Sequence, residues 1–353
     1  MKHTSFIRKW EHLKNNPMLA TPLKYTDEVA KSTAPIYETL KSQYKEDHWK
    51  TLAPYIHEIN KLKAQKNAVI LAHNYMTPDI FYGIGDVVGD SLKLAQEAAK
   101  SDADMIIQCG VHFMAETSKI LCPEKKVIIP DMQAGCSLAE SITAEGLRAM
   151  KAQYPGIPVI TYVNTSADVK AESDVCCTSS NALKIVNALG AQGHDTVIMT
   201  PDKFLAQNVA AQTDVKVIFW EGTCMVHERF TAEDVRQMRA QHEGVVVLAH
   251  PECPPEVMAE ADYAGSTAQM DDYIKDKQPK KAVLYTECSM SDNIAASNPN
   301  VELIGTCQMC PHMKRISLPK VLKALQTEGP EVTVDPAIIE RARKPIERML
   351  ELS

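Results

Sequence analysis

Residues 67–75 read "NAVILAHNY", five apolar side chains in succession closed by a histidine, an asparagine and a tyrosine. A run this short and this rich in branched side chains has no helical period and suits a strand buried on both faces, as in a parallel sheet. The same design returns in "IPVITYVN" (157–164) and in "GVVVLAHPE" (244–252). His73 and Tyr162 are 89 residues apart, and Tyr162 and His250 are 88 apart. A period held at that length makes the three segments members of an internal repeat.

The later features of each repeat keep the same order. A hydroxyl-rich helix start follows the first strand: "GDSLKLAQEAA" with Ser91, "CTSSNALKIV" with Ser179 and Ser180, and "GSTAQMDDYI" with Ser266 and Thr267. Serine and threonine at such places are helix-capping types. A second buried strand comes next, "ADMIIQ", "DTVIMT" and "KAVLYT", and then a third, "KVIIP", "KVIFW" and "VELIG". Past the third strand stands a cysteine: Cys136 in "AGCSLAES", Cys224 in "GTCMVHERF", and Cys310 in "CQMCPHMKRI". Their spacings are 88 and 86 residues.

Strands alternating with helices at this period predict an α/β protein of three pseudo-repeated three-layer α/β/α domains. Each has a short parallel sheet with right-handed crossovers. The expected boundaries are repeats at 67–150, 151–240 and 241–325. A polar helical extension at 1–66 precedes them, and a helical segment at 326–353 packs back on the body. In parallel sheets the binding crevice lies beyond the carboxyl ends of the strands. With the three domains set about a pseudo-threefold axis, those ends face one central site.

Composition narrows the function. At 353 residues the chain exceeds the size at which one core keeps growing. A net charge of −7 gives no basic face for nucleic acid or anionic lipid. The start, "MKHTSFIRKWEHLKNN", lacks the apolar stretch of a secretory signal, and no run approaches the length of a membrane span. A cytoplasmic protein with small-molecule partners is therefore expected. Ten cysteines in a reducing compartment point to metal or cluster ligation for some and inert burial for the rest.

Three cysteines delivered by three separated loops suit a [4Fe-4S] cluster in which one iron lacks a protein thiolate and acts as a Lewis acid. A zinc ion with His227 as fourth ligand is the alternative. The pair Cys307 and Cys310 leaves open which one is the ligand, and the repeat offset does not choose between them. Cys109, Cys122, Cys176, Cys177, Cys253 and Cys288 are assigned to packing, Cys109 with least reason because it too follows a strand. Glu252, between a proline and a cysteine at a strand end, is a carboxylate with little reason to be buried unless it is used.

The motifs "AHNY", "GDSL", "GVHFMAET", "AGCSLA", "WEGTCMVHERF", "HPEC", "GSTAQM" and "CPHMKRISL" occur in order from about residue 60 to the C-terminus. They resemble those of the quinolinate synthases, the second enzymes of NAD synthesis from aspartate. The resemblance implies a transferase that condenses iminoaspartate, supplied by L-aspartate oxidase, with dihydroxyacetone phosphate to give quinolinate, losing phosphate and two waters. It implies a [4Fe-4S] cluster on Cys136, Cys224 and Cys310, Cys310 being preferred because it opens "CPHMK". It assigns substrate contacts to His73, Ser91, Tyr162, Asn164, Ser179, His250, Ser266 and Thr267, and chemistry to Tyr75, Glu252 and His227. Proton transfer is expected from Glu252 with Tyr75. Where some members carry a further cysteine, this chain has Ile304. The competing readings are an iron–sulfur hydro-lyase acting on another small acid and a non-catalytic iron–sulfur sensor.

Overall fold

The structure is a computed structural model that describes residues 23–306 and 308–353; Cys307 therefore lies outside the described residues. Twelve strands form three four-stranded sheets. The first holds β1 (Ala68–His73), β2 (Val87–Gly89), β3 (Met105–Cys109) and β4 (Lys126–Ile128). The second holds β5 (Val159–Tyr162), β6 (Val175–Cys177), β7 (Thr196–Thr200) and β8 (Lys216–Phe219). The third holds β9 (Val246–Ala249), β10 (Tyr263–Ala264), β11 (Lys281–Tyr285) and β12 (Glu302–Ile304). Every pairing is parallel, and the order is the same each time: β2-β1-β3-β4, β6-β5-β7-β8, β10-β9-β11-β12.

Nine of these strands are the apolar runs of the sequence; β2, β6 and β10 are additional edge strands of two or three residues. A carboxylate sets each of them. Asp86 Oδ2 accepts from Ile70 N, Asp174 Oδ2 from Val159 N, and Asp262 Oδ2 from Val247 N, all at 2.8 Å. The aspartate just before each edge strand thus grips an amide near the start of the central strand, fixing the register of a strand too short to fix its own. Asp86, Asp174 and Asp262 are 88 residues apart in both steps. Central-strand side chains such as Ile70, Ile160 and Leu248 are 0 % exposed, and each contributes about 1.5–3 kcal/mol of burial.

The helix starts differ in detail from the hydroxyl caps expected. Helix Ser91–Lys100 is capped by Asp90, whose side chain accepts from Lys93 N, so Ser91 is its first helical residue. Ser179 and Ser180 precede Asn181, which begins helix Ala182–Ala191. Ser266 does cap helix Thr267–Lys277, reciprocally with Gln269. At the first of these starts a short polar side chain one residue earlier does the same work, and sequence spacing does not separate the two.

The terminal elements tie the units together. Helices Asp27–Leu40 and Glu46–Gln65 pack beside the first unit, and the former also touches helix Cys288–Ser297 of the third. Tyr82 Oη donates to Asn293 O at 2.6 Å, and Asn293 Nδ2 to Asn74 O at 3.0 Å. After β12, helix Leu318–Thr327 returns to β3 and to helix Glu46–Gln65. Val332 N then donates to Val127 O at 2.8 Å beside β4. Helix Pro336–Leu352 crosses to the second unit, against helix Ala167–Ala171 and β6. One hydrophobic core runs through the first two units and these helices, while the third unit has cores of its own.

At the seam between the N-terminal helices and the third unit, Gln43 donates to Asp292 O at 3.2 Å. Burial, and then the charge of Glu287, lift the Asp292 carboxyl to about 6 against the opposing pull of Lys314. A raised folded value means that the carboxylate form destabilises the fold. The penalty is absent below the ordinary aspartate value, grows up to pH 6, and persists above it. Asp292→Asn should therefore raise stability by about 1–2 kcal/mol at pH 7.5 and leave it unchanged near pH 4. Thermal unfolding at the two pH values checks this, and an equal effect at both would refute it.

Candidate active site

The carboxyl ends of the strands from all three sheets surround one cavity. His73, Tyr75, Ser91 and Cys136 enter it from the first unit, Tyr162, Asn164, Ser179, Cys224 and His227 from the second, and His250, Glu252, Thr267 and Cys310 from the third. Of the site residues that the resemblance assigns, Ser266 alone stays off the wall; it is 0 % exposed and occupied with its helix cap.

The first and third units present the same turn. His73 Nδ1 accepts from Tyr75 N at 3.2 Å, and His250 Nδ1 accepts from Glu252 N at 3.3 Å. An amide donor on Nδ1 requires an unprotonated nitrogen there, which assigns the proton to Nε2. Burial pulls both imidazoles down to about 3, so both are neutral at pH 7 and offer one N–H each.

His227 is held the other way round. Its Nδ1 lies 2.9 Å from Glu252 Oε2, and its ring stacks on that of His250 with centroids 4.7 Å apart. The other carboxylate oxygen of Glu252 accepts from Tyr162 Oη at 2.6 Å. Burial alone would push this carboxyl up, but the neighbouring imidazoles and the two donors hold it well below the usual carboxylate range. Glu252 is 4 % exposed and therefore a buried anion with both oxygens engaged. With Nδ1–H given to Glu252, His227 Nε2 is an acceptor, and Thr286 Oγ1 stands 3.0 Å from it. Thr286 Oγ1 is in turn 2.6 Å from Tyr75 Oη, whereas Tyr75 and His227 are 3.5 Å apart directly. A continuous chain thus runs Tyr75, Thr286, His227, Glu252, Tyr162.

The thiols face the same space. Cys224 Sγ is 3.2 Å from His227 Nδ1. Burial pushes Cys136 up to about 12 and raises Cys224 and Cys310, each further raised by nearby negative charge. Thiolates at these positions need a cation. Among the described residues, the one group of three ligand atoms within 4.8 Å of one another is Cys224, His227 and Glu252, a set able to hold a metal ion. Among the described residues the three thiols form no such group with one another. The other described cysteines are buried, Cys109 completely so within β3 and off the cavity wall.

The remaining wall mixes polar groups with the apolar Phe113, Met114, Met225 and Met313, and it includes Asp90 and Glu287. Thr267 Oγ1 accepts from Asn74 Nδ2 at 2.9 Å, and Asn164 Oδ1 is buried with no protein partner. The residues that sequence reading missed sit after the second long strand of the third unit. Thr286 links Tyr75 to His227, and Glu287, 0 % exposed, accepts from Cys310 N at 3.2 Å and pairs with Lys314 at 2.8 Å. The strand-end signal was present in "KAVLYTE", where a threonine and a glutamate close an apolar run as His73 closes β1.

Removing the Thr286 hydroxyl leaves two buried groups, Tyr75 Oη and His227 Nε2, facing each other across a poor distance. Thr286→Val should lower stability by about 1–3 kcal/mol without altering secondary structure. Urea unfolding measures this, and an unchanged midpoint would show that the hydroxyl is not part of the chain.

Residues 57–351 match the model of the family described as Quinolinate synthetase A protein. The chain is 59 % identical over 329 residues to the quinolinate synthase of Caulobacter vibrioides, covering 93 % of this chain and 90 % of that one. It is 54 % identical over 330 residues to that of Sinorhizobium fredii (94 % and 91 %). With that of Xylella fastidiosa it shares 60 % over 297 residues (84 % and 87 %). The likeness to the first two extends well before residue 60, where the motifs were expected to begin, so the N-terminal helices are largely shared with these relatives. The chain belongs to the quinolinate synthetase A family.

Proposed function

We propose that the protein is a quinolinate synthase that joins iminoaspartate to dihydroxyacetone phosphate, forming quinolinate, phosphate and two waters. The observation that carries this reading is the buried chain from Tyr75 to Tyr162, lying beside three thiols from three units in one cavity. It agrees with the names of the relatives. The donor set suits a [4Fe-4S] cluster, being three cysteines brought to one cavity from three units and set among groups that make a thiolate costly without iron. When bound, such a cluster would supply a Lewis-acidic iron with no protein thiolate, suited to drawing off substrate oxygen.

The protein's own groups account for the proton traffic. His73 and His250 offer neutral Nε2–H donors to substrate oxygens. Glu252 keeps His227 in the Nδ1–H tautomer and stabilises its charged form, so His227, not Glu252, is the group that takes a proton. Thr286 passes it from Tyr75 Oη, whose phenol is the group nearest the reacting carbons in this scheme. Ser91, Ser179, Asn164 and Thr267 hold the carboxylates and hydroxyls of the two substrates. Iminoaspartate hydrolyses readily in water, which favours supply by an L-aspartate oxidase in the same compartment, the cytoplasm. No helix among the described residues is long and apolar enough to cross a membrane.

The test is anaerobic purification, followed by an assay for quinolinate from dihydroxyacetone phosphate and freshly generated iminoaspartate. A cluster without quinolinate would favour a hydro-lyase on another acid, or a sensor. Replacing Cys136, Cys224 or Cys310 with serine should bleach the visible absorption, and Cys307→Ser should preserve it. Glu252→Gln should keep the cluster and lower turnover per cluster by roughly 10²- to 10⁴-fold. Equal turnover per cluster would remove Glu252 from the mechanism.

A further inference from the structure

Lys170 is 0 % exposed, and the hydrogen-bond partners of its ammonium are two main-chain carbonyls. Nζ donates to Val163 O at 2.8 Å and also to Thr165 O. It stands 5.5 Å from the centre of the Phe113 ring, on the face side favoured by cations. Burial pulls its pKa below the ordinary lysine value, while Cys176, Glu116 and Cys136 pull the other way. A buried lysine is rare without a carboxylate partner or a use.

The two carbonyls belong to the neighbours of Asn164. The loop is closed further from inside: Thr165 N donates to Val163 O at 2.8 Å, and Thr165 Oγ1 to Tyr162 O at 3.1 Å. With the carbonyls on either side turned in toward the ammonium, the residue between them is left to face outward, and Asn164 lines the cavity. Its Oδ1 is buried there with no protein partner. A buried acceptor without a donor is a costly thing to hold in place unless a ligand supplies one.

We infer that Lys170 is a positioning residue for substrate, its ammonium clamping the 163–165 loop so that the Asn164 amide oxygen meets an O–H or N–H of the bound substrate. This deepens the functional reading above and rests on it for the choice of assay. Lys170 touches no reacting atom and acts through Asn164.

A double-mutant cycle on the cluster-loaded enzyme tests it. Asn164→Ala and Lys170→Met should each raise KM for one substrate by roughly ten- to a hundred-fold, more than they lower kcat. The double variant should be no worse than the poorer single one. Lys170→Arg, which keeps charge and donors, should recover part of the loss. Multiplying effects in the double variant, or a parental KM in Lys170→Met, would overturn the inference. If Lys170→Met does not accumulate as folded protein, Lys170→Gln takes its place, keeping two hydrogens for the carbonyls. Hydrogen exchange supplies a readout independent of the reaction. In the Lys170 variant, the peptide spanning 163–170 should exchange about ten-fold faster while β5 and the cluster content are unchanged. Unaltered exchange in that loop would sink the inference even if the parent proved not to make quinolinate, whereas loss of quinolinate synthesis in the parent alone would sink only the functional reading.

Discussion

The charge on Glu252 can be buried only while the second and third units are together, and the first closes the chain that it anchors. One oxygen takes the Tyr162 hydroxyl, the other takes His227, and both partners come from the second unit while the carboxylate comes from the third. The far end of the chain, Tyr75, comes from the first. Separating any unit would leave a carboxylate or a phenol to be satisfied by water alone. Assembly of the cavity and ionisation of its central group are therefore the same event, and the energy of one is spent on holding the other.

Around that centre the scaffold is symmetric and the chemistry is not. The three sheets share one strand order, and the aspartate grip on each central strand recurs without change. The first and third units even share the turn in which a histidine accepts the amide two residues on. At the matching place in the second unit stands Tyr162, which binds the Glu252 carboxylate instead. The loop cysteine thus recurs in every repeat, while the strand-end position has been filled for different tasks.

Much of this could be read in the residues. The β-branched runs are buried on both faces, so nine strands and their parallel pairing were legible, and the polar triplets marked the ends that meet in the cavity. The edge strands were not legible: Tyr263–Ala264 is two residues long and has no period to detect. The aspartates that register these strands repeat as faithfully as the cysteines, but an aspartate before a turn reads as ordinary loop polarity. Ser91 reads as a cap that Asp90 in fact provides, because both are capping types in adjacent places. Thr286 and Glu287 stand in ordinary places, a strand end and the cap of helix Cys288–Ser297. Their second use depends on Tyr75, 211 residues away from Thr286, and on Cys310, and no local pattern carries that.

The terminal helices give the molecule a closed circuit. The chain itself joins the first unit to the second and the second to the third, but only packed side chains and main-chain bonds join the third to the first. Helix Leu318–Thr327 and the strand-like contact of Val332 with Val127 carry the chain back to where it began, and the N-terminal helices lie across the same joint. From there the chain goes on to end against the second unit, in helix Pro336–Leu352. The order of the units around the cavity is therefore fixed by their contacts as well as by the path of the chain, and a cut in the loop between the first and second units would leave the first still held to the third.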